Sequence, residues 1–132
     1  MKVRETKIIE KLIHYCYENN LRYAVEVPFF LSKIDLVSLD QRNNEVIAIE
    51  AKVSNWHRAI QQATSYTLCA DRVYLALWHE FAHRVDIRLL ERYGIGLLSV
   101  DGKVEILQHA QKSQGFNKEL MKKIKNFVYY NN

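Results

Sequence analysis

The sequence predicts an α/β fold: a helix, a meander of three strands, a second helix and a return to strand, extended by a later hairpin and a last helix. Three observations carry that expectation. Apolar residues recur at helical spacing near the start, strand-like runs punctuated by turn residues follow, and later amphipathic segments alternate with further strand-like runs. A chain of 132 residues with 48% hydrophobic content has enough apolar material for one core, so residues 1–132 are read as a single domain.

From Glu5 to about Asn19, Ile8, Ile9, Leu12, Ile13 and Cys16 form one stripe, which predicts an amphipathic first helix ended by "ENN". "RYAVEVPFF" reads as a strand stopped near Pro28, and "KIDLVSL" and "EVIAIEAKV" as two more, joined by the turn-forming "DQRNN". "NWHRAIQQATSYTLCA" holds no Gly or Pro and starts at Asn55, a suitable N-cap, so it is expected to be helical, before "RVYLALW" returns to strand. A helix over "EFAHRVDIRLLERY" should end at Gly94. The strands "IGLLSV" and "KVEIL" then flank the Asp101-Gly102 turn, and a helix from about Asn117 to Tyr130 closes the sequence. Its Lys118, Lys122 and Lys125 read first as a solvated helix face.

Nineteen Lys and Arg against fifteen Asp and Glu give a mild basic excess, compatible with a polyanionic partner but not demanding one. Cys16 and Cys69 are too few and too distant in sequence for a disulfide framework, which points to a reducing, cytoplasmic setting. Charges scattered through "MKVRETKIIE" argue against a secretory signal, and no apolar run is long enough for a membrane span.

The chemistry concentrates in two strands. In "EVIAIEAKV", Ile47, Ile49, Ala51 and Val53 share one face, leaving Glu50 and Lys52 together on the other. A solvated ion pair is the plain explanation. In "KIDLVSL", alternation puts Ile34, Leu36 and Ser38 on one face and Lys33, Asp35 and Val37 on the other. If these strands are neighbours, Asp35 and Glu50 converge on one side of the sheet with Lys52 beside them. Two converging carboxylates repel unless a cation lies between them, and hard oxygen ligands suit Mg²⁺. Glu5 extends the apolar stripe of the first helix and is a third candidate; its alternative is a solvated first-turn carboxylate that favours the helix dipole. Glu26 is a weaker candidate, because alternation leaves its side open.

A helical Glu, an Asp within an apolar strand, "EAK" closing the next strand and a helix behind it resemble the PD-(D/E)XK, or restriction-endonuclease-like, nuclease superfamily. The order fits that family's αβββαβ core from Glu5 to about Trp78, and "QATSY", Gln62 to Tyr66, looks like the QxxxY motif of its RecB-like branch. Ile34 stands where the family usually has Pro. The resemblance implies a central mixed sheet flanked by helices, and a nuclease that hydrolyses DNA phosphodiesters. It also implies Mg²⁺, replaceable by Mn²⁺, held by Asp35, Glu50 and the Ala51 carbonyl, with Glu5 binding directly or through water. Lys52 would orient water and offset phosphate charge, while Gln62 and Tyr66 would fix a phosphate or Lys52 by hydrogen bonding. Arg58, Lys33 and Trp56 are candidate nucleic-acid contacts, and many proteins of this type pair, so a homodimer is expected.

One motif competes. "HEFAH", His79 to His83, matches HExxH, which on a settled helix binds Zn²⁺ with Glu80 as the base of a metalloprotease, and Glu91 or Glu105 would have to complete it. Strand-like "RVYLALW" runs straight into His79 and Arg84 follows the second His, so two surface histidines are the simpler reading. A non-catalytic nucleic-acid-binding module on the nuclease fold is a third class.

Overall fold

The computed structural model describes residues 3–131. Helix α1 spans Glu5–Glu18, followed by β1 (Arg22–Phe29), β2 (Ser32–Asp40), β3 (Glu45–Lys52) and α2 (Trp56–Ser65). A 3₁₀ turn over Tyr66–Leu68 leads to β4 (Arg72–Trp78), then α3 (His79–Ala82), α4 (Ile87–Tyr93), β5 (Gly96–Val100), β6 (Val104–Gln108) and α5 (Lys118–Tyr130). The expected α/β order is therefore observed. Six strands form one mixed sheet in sequence order, with β3, β4 and β5 parallel and every other neighbouring pair antiparallel.

The sheet divides the core into two layers. On one face Val27, Val37, Ala48 and Leu75 pack beneath Ala59 and Ala63 of α2, Leu90 of α4 and Ile124 of α5. On the other, Leu36, Ile49, Ala51 and Ala76 meet Ile8, Leu12 and Cys16 of α1. The two parallel crossovers place α2 and α4 on the same face, as connections of one hand require. The α1 stripe is thus buried as expected, and Ile47, Ile49, Ala51 and Val53 share the α1 face.

Chain breaks have local causes. Asn20, at φ 56°, closes α1 in the left-handed region while the Leu21 N–H reaches back to the Cys16 carbonyl at 2.9 Å. Gly94, at φ 70°, ends α4 in the same way. The expected helix over residues 80–93 is two pieces, because the Asp86 side chain accepts from the Arg88 N–H and starts a new helix. The helix expected through residue 70 stops as α2 at Ser65 and tightens into the 3₁₀ turn. Asn55 does occupy the N-cap position, yet in a left-handed conformation (φ 43°) and without a side-chain capping bond. β1 ends at Phe29, next to Pro28 as expected; Pro28 itself still pairs opposite Lys33 in the ladder, and β1 is an edge strand, where a missing N–H can face outward.

The alternation expected in β2 fails at one place. Ile34 lies in the α2-side core and Leu36 in the α1-side core, although they are two residues apart. The phase changes between Val25↔Leu36 and Val27↔Ile34, where Glu26 adopts φ 51° and drops out of the ladder opposite Asp35. Such a local irregularity re-aims the intervening side chains. It frees Asp35 from regular pairing at the point where β2 parts from β3.

Candidate active site

Asp35 is placed by that irregularity. The β2–β3 ladder ends at Leu36↔Ile49. One residue further along, the Asp35 carboxylate takes over from backbone, its Oδ2 accepting the Ala51 N–H at 2.8 Å. The side chain thereby stitches the diverging strands together, and its charge acts on the neighbouring Glu50 carboxyl.

Glu50 is almost fully buried, at 3% exposure, on the α2 side of β3. Its Oε1 accepts a hydrogen bond from the Tyr66 hydroxyl at 2.7 Å. Burial, aided by the neighbouring Asp35 charge, pushes the Glu50 carboxyl up to about 7, with Tyr66 and Lys52 acting the other way. The same burial, together with the negative partner, pushes the Tyr66 hydroxyl well above its usual range, so it remains a donor. Tyr66 sits in the 3₁₀ turn, not on α2, and is itself 1% exposed. Its hydroxyl is engaged by Glu50. Gln62 is exposed on α2.

Lys52 ends β3, partly buried, with its Nζ 3.8 Å from Glu5 Oε1. Glu5 begins α1, which covers the opposite face of the sheet from α2, so its half-exposed carboxylate meets the amine at the sheet's end. Among the described residues no set of three His, Cys, Asp or Glu side chains gathers in a way that could hold a metal ion. The residues that could hold a hard cation such as Mg²⁺, an ion that keeps several waters and takes one or two carboxylates, are Asp35 and Glu50 with nearby backbone.

The remaining expected contacts scatter. Arg58 and Lys33 are exposed, on α2 and β2 respectively. Trp56, partly buried, packs against the α2-side core and stacks on exposed His57 with ring centroids 3.7 Å apart. Next to Glu5, an open groove of about 650 Å³ lies beyond the ends of β3 and β4, lined by Arg4, Glu5, Ser54, Trp78 and Phe81 among others. Sequence reasoning missed this groove, because the residues that line it come from three separate stretches of the chain. As for HExxH, His79 and His83 bracket a single four-residue turn rather than a settled helix, with Glu80 exposed. No third ligand joins them among the described residues.

The site lies on an αβββαβ core with a central mixed sheet, a restriction-endonuclease-like arrangement. Solved structures with a similar fold include a protein of unknown function from Silicibacter pomeroyi, 20% identical with a TM-score of 0.75 over 98% of this chain and 87% of that one. A repair endonuclease from Pyrococcus abyssi is similar at 18% identity and a TM-score of 0.52, over 77% of this chain and 50% of that one. EndoMS in complex with double-stranded DNA is similar at 15% identity and a TM-score of 0.51, over 77% of this chain and 48% of that one. The chain thus spans about half the length of these last two proteins. No family model matches it, and no curated protein matches it significantly. Among the described residues no helix is long and apolar enough to cross a membrane.

Proposed function

We propose that this protein is a metal-dependent nuclease that hydrolyses DNA phosphodiester bonds, centred on Asp35, Glu50 and Lys52. The observation that carries the reading is the meeting of two carboxyls from diverging strands in a buried site, one of them pushed up to about 7. Ordinary folding favours no such pair, since burial and mutual repulsion both oppose it. The fold likeness to a repair endonuclease and to a DNA-bound EndoMS supports the substrate class.

In this reading Asp35 and Glu50, with the Ala51 carbonyl, hold Mg²⁺, or Mn²⁺ in its place. When bound, the ion lowers the pKa of a water molecule and neutralises charge on the phosphate. The protein's own groups supply the rest. Tyr66 holds Glu50 in one rotamer through the 2.7 Å bond, and the Ala51 N–H does the same for Asp35 at 2.8 Å. Lys52 carries a positive charge to the end of β3, where it can orient water and stabilise a phosphate oxygen. Glu5 holds that amine in place from α1. The QxxxY assignment to the RecB-like branch rests on Tyr66, and a homodimer that cuts both strands suits so small a domain.

The test is incubation with plasmid, linear duplex, single-stranded and branched DNA in Mg²⁺ or Mn²⁺, comparing wild type with Glu50→Ala and Lys52→Ala. Cleavage is expected in wild type alone. Cleavage that persists in both variants rejects the proposed centre.

A further inference from the structure

The turn between β1 and β2 presents two large apolar side chains to solvent: Phe30 is 71% exposed and Leu31 is fully exposed. Phe30 also adopts φ 54°, in the left-handed region, where a bulky aromatic is an outlier. Strain and exposure together are costs that folding alone does not require, since glycine would relieve both. The turn is nonetheless held firmly. Ser32 Oγ donates to the Phe29 carbonyl at 3.1 Å, and the Phe29 ring meets Phe30 edge-on with centroids 4.7 Å apart. Phe29 packs in turn against Tyr66 at 5.5 Å and 87°, and Tyr66 holds Glu50. An unbroken series of contacts therefore runs from the exposed tip to the candidate active site. The strand that leaves the tip carries exposed Lys33 and then Asp35.

We propose that Phe30 and Leu31 form a wedge that enters between stacked bases of a nucleic acid lying across the Asp35–Glu50 site. The proposal rests on the nuclease reading above and gives that site a means of deforming its substrate. Apolar side chains inserted at a base step unstack it and kink the duplex, while a neighbouring lysine meets the phosphates. A second copy of the chain is the lesser occupant. Two such side chains offer roughly 300 Å², against about 800 Å² per partner in a standard stable interface. Tight coupling of the tip to Tyr66 fits a device that positions a bond for cleavage.

Duplexes carrying 2-aminopurine at successive positions test the idea, with Ca²⁺ replacing Mg²⁺ to hold cleavage back. Wild type should raise the emission severalfold at one or two adjacent positions as the base unstacks. The double variant Phe30→Gly/Leu31→Ala should abolish that rise and weaken binding about tenfold or more, while Phe30→Gly alone leaves Tm unchanged or higher because the left-handed position is relieved. No rise with wild type, or a rise that the double variant retains, overturns the proposal. So does a wild-type dimer in sedimentation velocity that the double variant dissolves, since the tip would then be a protein contact. Hydrolysis of bis(4-nitrophenyl) phosphate by wild type and Glu50→Gln separates the two readings. Emission that depends on the tip without any diester hydrolysis keeps the wedge and rejects the nuclease, whereas Glu50-dependent hydrolysis with tip-independent emission does the reverse.

Discussion

Replacing Glu50 by Gln should make the metal-free protein more stable at pH 8, an unusual sign for a buried polar residue. In the fold the Glu50 carboxyl is held at about 7 against an ordinary value of 4.5, through burial first and the Asp35 charge second. A carboxyl raised on folding binds its proton more tightly in the native state. Its stabilising contribution is therefore complete below pH 4.5 and is lost as pH climbs through about 7. The interval from 4.5 to about 7, at about 1.4 kcal/mol per pH unit, amounts to about 3 kcal/mol. Glutamine mimics the neutral carboxyl: its oxygen can still accept from Tyr66 and its amide can donate to Asp35. Wild type and Glu50→Gln should match near pH 4.5, and at pH 8 in EDTA the variant should lead by up to about 3 kcal/mol, or about 10 °C in Tm for a domain of this size. Urea unfolding followed by circular dichroism across that range reads the difference. Millimolar Mg²⁺ at pH 8 should close the gap by stabilising wild type alone. A variant less stable than wild type at pH 8, or two curves that stay parallel from pH 4.5 to 8, would refute the account of Glu50 as a strained carboxylate.

Tyr66→Phe removes the donor that lowers the Glu50 value, so the midpoint of the wild-type pH–stability curve should move upward, with a cost of about 1–2 kcal/mol measured at pH 7. Asp35→Asn keeps an acceptor for the Ala51 N–H and should fold almost as well as wild type, whereas Asp35→Ala leaves that N–H unpaired and should lose about 1–3 kcal/mol; equal stabilities would remove Asp35 from its stitching role. Lys52→Ala should abolish DNA cleavage yet shift stability by under about 1 kcal/mol, because its pair with half-exposed Glu5 at 3.8 Å is weak. Gly96→Ala should destabilise by about 1–3 kcal/mol in thermal melts, since its Cβ would stand 2.3 Å from the Tyr74 ring and 2.7 Å from the Ala110 nitrogen.

The order of the elements follows from local pattern along the chain, because apolar periodicity and turn chemistry act over a few residues. The Ile8, Leu12, Cys16 stripe made a helix with one buried face, and Ile47, Ile49 and Ala51 assigned Glu50 to the other side of its strand. The sequence also pointed to Asp35 and Glu50, since an acidic residue amid apolar strand neighbours demands a partner. What pairing and packing alone decided was how those residues meet. Regular alternation cannot foresee the irregularity at Glu26, which throws Ile34 to the α2-side core and turns Asp35 toward the Ala51 N–H. Nor can spacing along one helix tell that α2 ends at Ser65 so that the Tyr66 hydroxyl swings under the sheet onto Glu50. Glu5 shows the limit most clearly: its place on the helical stripe is legible, but only packing puts α1 on the face away from α2 and its carboxylate 3.8 Å from the Lys52 amine. Periodicity is a property of one element, whereas a site is made by side chains from several, and their meeting depends on layer, register and break points that are chosen only when the sheet closes its core.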